Sequence, residues 1–386
     1  MLRLRKSILS HLLSFYATSR VSPLHRLLSA AAATPVVSPS PSFAVEKYLV
    51  DTCGLTRAQA VKASTKISHI KSPSRPNAVL AFLAGLGLSS ADVATVVARD
   101  PKFLCAGVER TLDPVDLELN ALGVSCSEVA RLVTLAPDRF RSRCVVSKVQ
   151  YYLALFGSSE KFFKVLNHSS NLLSSSLDKV VKPNVAFLKE CGLGACDIVA
   201  LSLSIRWILA TKPEDVWAMA ARAEAVGVTR GSGMFRQAMQ AVAFLSEKKI
   251  AVKLECLKKM LRWSDAEVGI AVCKAPMLLA RANDTLQSKS EFLISEVGLE
   301  PAYIAHRPAL LSYSLECWIR PRYYVLKLLK EKGLLLQDRD YYNTVLIREK
   351  LFMEKFICPH KEAAPHLAED YATACRGEVP TRFRFT

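Results

Sequence analysis

One glycine recurs along this chain with almost no drift, and its spacing constrains the fold more than any other feature. It stands at Gly54, Gly87, Gly123, Gly157, Gly192, Gly227, Gly298 and Gly333, with Arg262 holding the phase, at steps of 33 to 36 residues. Apolar runs of helical spacing precede the marks, as at 79–86, 115–122, 185–191 and 250–261. A glycine at such a point supplies the left-handed residue that ends a helix. Two residues further on stands a capping residue in most units: Thr56, Ser89, Ser125, Ser159, Thr229 and Ser264. Thr56 with Gln59, Ser125 with Glu128 and Ser264 with Glu267 have capping-box spacing, and Ser89 with Asp92 comes near it. The second helix so begun stops at Pro101, Pro137, Pro276 and Pro308, because proline lacks the N–H and its ring clashes with the preceding turn. Further prolines, at 76, 114, 183, 213 and 321, read as the first turn of the next helix. One such unit cannot bury both faces alone, so units must stack. The expected fold is an all-α solenoid, of either curvature, with about eight to nine units of about 35 residues.

The order of these features resembles a known repeat. The stretch Leu86-Gly87-Leu88-Ser89 through Asp100-Pro101-Lys102-Phe103-Leu104, and the stretch from Leu122-Gly123-Val124-Ser125 to Ala136-Pro137, are similar to the repeat of the mitochondrial transcription termination factor family, mTERF. The segment from Trp318-Ile319-Arg320-Pro321 to Lys330 is similar to the family's closing repeats. The likeness covers roughly residues 45–355 and combines period, Leu-Gly-Leu, cap and proline in one order. Pentatricopeptide and tetratricopeptide repeats share the period but lack the proline stop, and the Trp and Tyr pattern of the latter is absent. The resemblance implies a crescent with two longer helices and a short 3₁₀ turn per unit, and a basic path that grips nucleic acid. It also implies a role in organellar transcription, termination included, or in RNA processing such as intron splicing. Departures lie in the middle: Ser170 and Arg206 stand where proline is expected, residues 231–245 hold none, and Arg262 replaces glycine.

Residues 1–45 contain no Asp or Glu but carry Arg3, Arg5, Lys6, Arg20 and Arg26 among many serines. Basic, acid-free and amphipathic is the pattern of an organelle transit peptide, whereas serines and His11 interrupt the apolar core that a secretory signal needs. The expected division is 1–44 transit peptide and linker, 45–357 repeat domain and 358–386 tail, the tail being a loose end. Arginine favours the mitochondrion and serine leaves the chloroplast open; plant members of the resembled family carry such peptides. Without the peptide, 47 basic residues still face 35 acidic ones, a surplus that fits a polyanionic partner. No run of apolar residues is long enough to cross a membrane. The eleven cysteines form no C-x-x-C pair and read as buried reduced thiols.

Two basic stretches are the candidate phosphate contacts. Lys248, Lys249, Lys253, Lys258, Lys259 and Arg262 flank a core stripe of Ile250, Leu254, Leu257 and Leu261. Arg320, Arg322, Lys327 and Lys330 flank Val325, Leu326 and Leu329. Fixed cations that neutralise phosphates release counterions and make binding salt-dependent. Arg262 beside Trp263 can also stack on a base. No H-E-x-x-H, Walker loop or dinucleotide fingerprint is present, so no enzyme, cofactor or metal site is expected. The expected partner is organellar DNA, foremost as duplex under transcriptional control, with RNA or splicing as the alternative. Partner proteins of the transcription or splicing machinery come with either, and a monomer is expected. A scaffold for a protein partner is the rival from another class; a basic stripe continuous across units would separate the two.

Overall fold

The computed structural model describes residues 43–169, 171–335 and 340–378; residues 1–42, on which the transit-peptide reading rests, and Arg382 and Arg384 lie outside them. The described residues are helices and turns, without strands, and Phe43 onward clusters as one compact unit. Each repeat has a leading helix that runs into the glycine, a returning helix antiparallel to it, and a closing turn. In the clearest unit these are Ser74–Gly85, Ser90–Arg99 and the 3₁₀ turn Pro101–Cys105. Leading helices pack on leading helices, as Asp113–Ala121 does on Cys144–Phe156, and returning on returning, as Asp265–Lys274 does on Pro301–His306. Two helical layers result. One edge of the solenoid carries the glycine turns, and the other carries the closing turns with the first residues of the leading helices.

The punctuation acts as its chemistry dictates. All eight glycine marks have positive φ, and Arg262 is the non-glycine residue with positive φ among the described ones, at 54°. It ends the Glu247–Leu261 helix in the left-handed conformation that glycine fills elsewhere. Thr56, Ser89, Ser125 and Ser264 each cap a returning helix in a complete capping box; Asp92 closes the Ser89 box as Glu128 closes that of Ser125. Two expected caps are corrected. Ser158, not Ser159, caps Ser159–His168. Thr229 caps nothing, because residues 229–234 form a turn before the helix Phe235–Val242 begins. That turn is wedged against the preceding glycine turn. The Gly231 N–H donates to Cys191 O at 3.0 Å, and a Cβ on Gly192 would lie 2.7 Å from the Gly231 Cα.

The prolines at 114, 183 and 321 stand in the first turns of Asp113–Ala121, Lys182–Glu190 and Arg320–Glu331, as expected. What the sequence does not show is that each of these helices is preceded by a five-residue π-turn, Val108–Leu112, Leu177–Val181 or Leu315–Ile319. In that wider turn the Asp113, Lys182 and Arg320 N–H groups reach back five residues, to Val108, Leu177 and Leu315 O. The proline ring then meets a loosened turn that already lacks the ordinary bond, so the helix continues. Closing turns form with or without their proline. Phe103 and Leu104, Leu172 and Leu173, Ile208 and Leu209, and Leu310 and Leu311 are all buried there. Two such side chains contribute on the order of 3–5 kcal/mol of burial per turn.

The expected loose tail is instead folded through residue 377. The helix Leu367–Cys375 puts Leu367 and Tyr371 into a second core with Val325, Leu329, Phe352 and Phe356, covering the last repeat. A solenoid needs such a cover because its terminal unit has no neighbour. The cysteines are also less buried than expected. Cys53 and Cys191 are buried, whereas Cys126, Cys144, Cys196, Cys317 and Cys358 are exposed. Among the described residues no helix is long and apolar enough to cross a membrane, and no three or more metal-ligating side chains come together.

Candidate nucleic-acid interface

The ten candidate cations part into three groups. Lys248 and Lys249 are exposed in the first turn of Glu247–Leu261, at the closing-turn edge. Arg320 is half-buried, pairs with Glu316 at 3.0 Å and lies over the Phe292 ring. Lys259, Arg262 and Lys330 are exposed at the glycine edge, and Lys327 is exposed one turn before it. Lys258 belongs to that edge too, but it is held by Asp265 at 2.8 Å and Glu255 at 3.3 Å, and those bonds push its pKa up.

The remaining two, Lys253 and Arg322, are taken up by acceptors of the fold; Arg322 is wholly buried, which corrects its reading as a phosphate contact, while Lys253 is half-buried on the lining of a groove. Arg322 donates to Val345 O at 2.8 Å, Ile347 O at 2.5 Å, Glu349 Oε2 at 2.6 Å and the Tyr371 hydroxyl at 3.2 Å. Its guanidinium lies between the rings of Trp318 and Phe352. Lys253 donates to Arg281 O and Asn283 Oδ1. The same device recurs at one register. Lys148, Lys253 and Lys289 each stand nine residues before their mark, on the core side of a leading helix. Each reaches the turn that closes its own unit: Lys148 Nζ donates to Leu173 O at 2.6 Å and Lys289 Nζ to Leu311 O at 2.8 Å. Burial pushes all three pKa values down, that of Lys289 to about 8 with help from Arg281. Asn184 plays the part in its unit, donating to Thr211 O at 2.9 Å. A lysine inside an apolar stripe is the sequence signal that separates these from surface charge.

Cations that the two-cluster reading missed stand on five of the closing turns, one to three on each. Lys71 and Arg75 belong to the first turn, Lys102 to the second and Arg139, Arg141 and Arg143 to the third; Arg206 and Lys212 belong to the fifth and Arg281 to the seventh. Neighbouring turns share one field. Burial pushes the Cys105 thiol up, while Arg141, Arg75 and Lys102, from three consecutive turns, all pull it down. Two grooves open between adjacent turns on this edge. One of about 300 Å³ is lined by His69, Lys71, Arg75 and Cys105, the other of about 460 Å³ by Lys248, Lys249, Val252 and Arg281.

The glycine edge is different because capping boxes put acids there. Asp92, Glu128, Asp197 and Glu267 are the third residues of their returning helices. Some nearby cations are engaged by carboxylates, as Arg230 is by Glu224 at 2.9 Å and Arg236 by Asp197 at 3.2 Å. The closing-turn edge has acids of its own in the first turns of its helices, Glu109, Asp178, Glu214, Asp215, Glu247 and Asp284 among them, and its buried one, Asp100, is taken up by Arg141 at 2.6 Å. Stacking thus brings the exposed Lys71, Arg75, Lys102, Lys248, Lys249 and Arg281 to one edge.

The mTERF family model matches residues 51–348, which span the repeats described above. The chain belongs to the mTERF family. Two Arabidopsis thaliana members are similar to it. Transcription termination factor MTERF8, chloroplastic, is 24% identical over 232 residues, which is 59% of this chain and 46% of that protein. Transcription termination factor MTEF18, mitochondrial, is 23% identical over 295 residues, 76% of this chain and 50% of that protein. The aligned part is therefore half or less of either relative's length. The match to the family ends just before Glu349, where the covering segment that binds Arg322 begins.

Proposed function

We propose that this chain is a non-catalytic nucleic-acid-binding factor of organellar gene expression, which holds phosphates along its closing-turn edge. The observation that carries the reading is the set of exposed cations that stacking brings to one edge. Lys71, Arg75 and Lys102 stand exposed on the first two turns and Lys248, Lys249 and Arg281 on the sixth and seventh, while capping-box carboxylates recur along the opposite edge. A row of fixed cations on a rigid repeat suits a polymer of regularly spaced charge better than it suits a protein surface. Phosphate contacts position a polymer without reading it. The process therefore follows from the relatives, both named as transcription termination factors, which favours control of transcription on organellar DNA. Their chloroplastic and mitochondrial names support an organelle as the site of action.

The test is equilibrium binding of the chain to organellar duplex DNA and to single-stranded RNA across a salt series. The expected result is affinity that falls linearly on a log–log plot, by about 0.9 per phosphate neutralised on duplex and about 0.7 on single strands. Absence of binding to every polymer at low salt would refute the reading and turn attention to a protein partner.

A further inference from the structure

In the unit marked by Gly227, an aromatic side chain is turned outward from a position that five other units bury. Phe244 stands seventeen residues after its mark; Leu104, Phe140, Leu209, Leu279 and Leu315 hold that register and are buried, whereas Phe244 is 65% exposed. The cause is local. Residues 229–234 are consumed by the turn that meets Gly192, so the returning helix starts late and ends at Val242. No proline turn follows, and residues 243–245 lead straight to Ser246, which caps the next leading helix through the Lys249 N–H. Phe244 has no pocket left to enter.

Its surroundings are those of a stacking platform. Trp207, half-buried in the previous closing turn, meets the Phe244 ring edge-on at 6.1 Å, and Arg206 beside it is exposed. The lining of the 460 Å³ groove starts at the residue after Phe244, Leu245, with Val252 (64% exposed) on its apolar part and Lys248, Lys249 and Arg281 along it. Exposed rings and an apolar trough offer little to a duplex, whose base faces are already stacked, but an unpaired base presents a π-face that binds a ring in any sequence. Cations at the same edge would follow the backbone that carries those bases.

We infer that the closing-turn edge from Arg206 to Arg281 is a single-strand binding platform, on which Phe244 and Trp207 stack unpaired bases while Lys248, Lys249 and Arg281 hold the adjoining phosphates. The inference rests on the nucleic-acid reading above and narrows it: whatever duplex lies along the rest of the edge, this segment takes a strand that is open.

The experiment is anisotropy titration of the full chain with a labelled single strand of about twenty nucleotides, long enough to overrun one platform, and with the same sequence as duplex. Wild type is compared with Phe244→Ala, Phe244→Trp, the pair Lys248→Ala and Lys249→Ala, and Trp217→Ala as an exposed aromatic outside the platform. The single strand is expected to bind more tightly than the duplex. Phe244→Ala should weaken it by about ten-fold or more, the size of one lost stack, with little effect on duplex, and Phe244→Trp should restore it. The lysine pair should weaken both polymers, and Trp217→Ala neither. Phe244 is exposed, so its loss should leave the melting temperature in place. Duplex preferred over single strand, or single-strand affinity indifferent to Phe244→Ala, would overturn the inference while leaving phosphate binding intact. Failure of both polymers to bind would remove the underlying reading as well.

Discussion

Replacing Arg322 with alanine separates a latch from a phosphate contact. The side chain is wholly buried, makes four hydrogen bonds and lies against two rings. Removing one partner of a buried ion pair costs about 3–5 kcal/mol. Two circumstances hold the loss inside that range. Glu349 is half-exposed and regains water, and Val345 O keeps a second donor in Trp318 Nε1 at 3.1 Å. Ile347 O and the packing against Trp318 and Phe352 are not replaced. A cost of about 4 kcal/mol should fall on the covering segment rather than on the whole solenoid, since repeat arrays can open from an end. Amide exchange over 341–377 should then accelerate by roughly a hundred- to a few thousand-fold, with the first units unchanged. The matching binding result is an unaltered salt slope for nucleic acid. Unchanged exchange together with a shallower salt slope would show that Arg322 faces the polymer and that the latch is misread.

Other expectations follow from the same geometry. Arg262→Gly should stabilise the chain by about 1 kcal/mol in urea unfolding, because a left-handed residue other than glycine costs about 1–2 kcal/mol; destabilisation would mean that the arginine side chain contributes more than its backbone costs. Lys289 has its folded pKa pushed down to about 8. Above that pH the unfolded chain holds a proton that the folded chain has lost, so stability rises with pH. Measured against Lys289→Met, wild type should gain on the order of 3 kcal/mol between about pH 8 and pH 10.5, and a flat difference would show a charged lysine in the fold. Gly192→Ala should destabilise more than Gly87→Ala by at least about 1–2 kcal/mol. Both glycines have positive φ, but only at Gly192 would the new Cβ strike backbone, at Gly231. Equal losses would mean the two turns part freely.

Much of the fold is legible in the sequence because its requirements are local. A left-handed stop needs glycine, a box needs its acid three residues on, and both repeat at one period, so even Arg262 is readable from phase alone. The prolines at 114, 183 and 321 mark the first turns of their helices but hide the π-turns ahead of them, since a proline looks the same in sequence with or without one; only the five-residue reach of Asp113, Lys182 and Arg320 reveals them. Arg322 misleads for a different reason. Its acceptors come from Val345 to Tyr371, outside its own helix and partly beyond the periodic region, and no helical wheel contains them. The basic edge is hidden by dilution. Lys71, Lys102, Arg141, Lys248 and Arg281 are scattered over some 200 residues of sequence, one to a unit, and come to one edge only when the units stack. The dense clusters that catch the eye, by contrast, are divided by the helix that carries them, with Lys248 and Lys259 at opposite ends of one rod.

The most direct test of that sorting compares the two edges in one salt series. One variant carries alanine at Arg75, Lys102, Lys248 and Lys249, and the other at Lys259 and Arg262. The closing-turn variant should bind nucleic acid more weakly and lose about 3 from its log–log salt slope, at about 0.7–0.9 per phosphate contact removed, while the glycine-edge variant keeps the wild-type slope. A slope that falls for the glycine-edge variant and holds for the other would place the polymer on the wrong side of the solenoid and contradict the account.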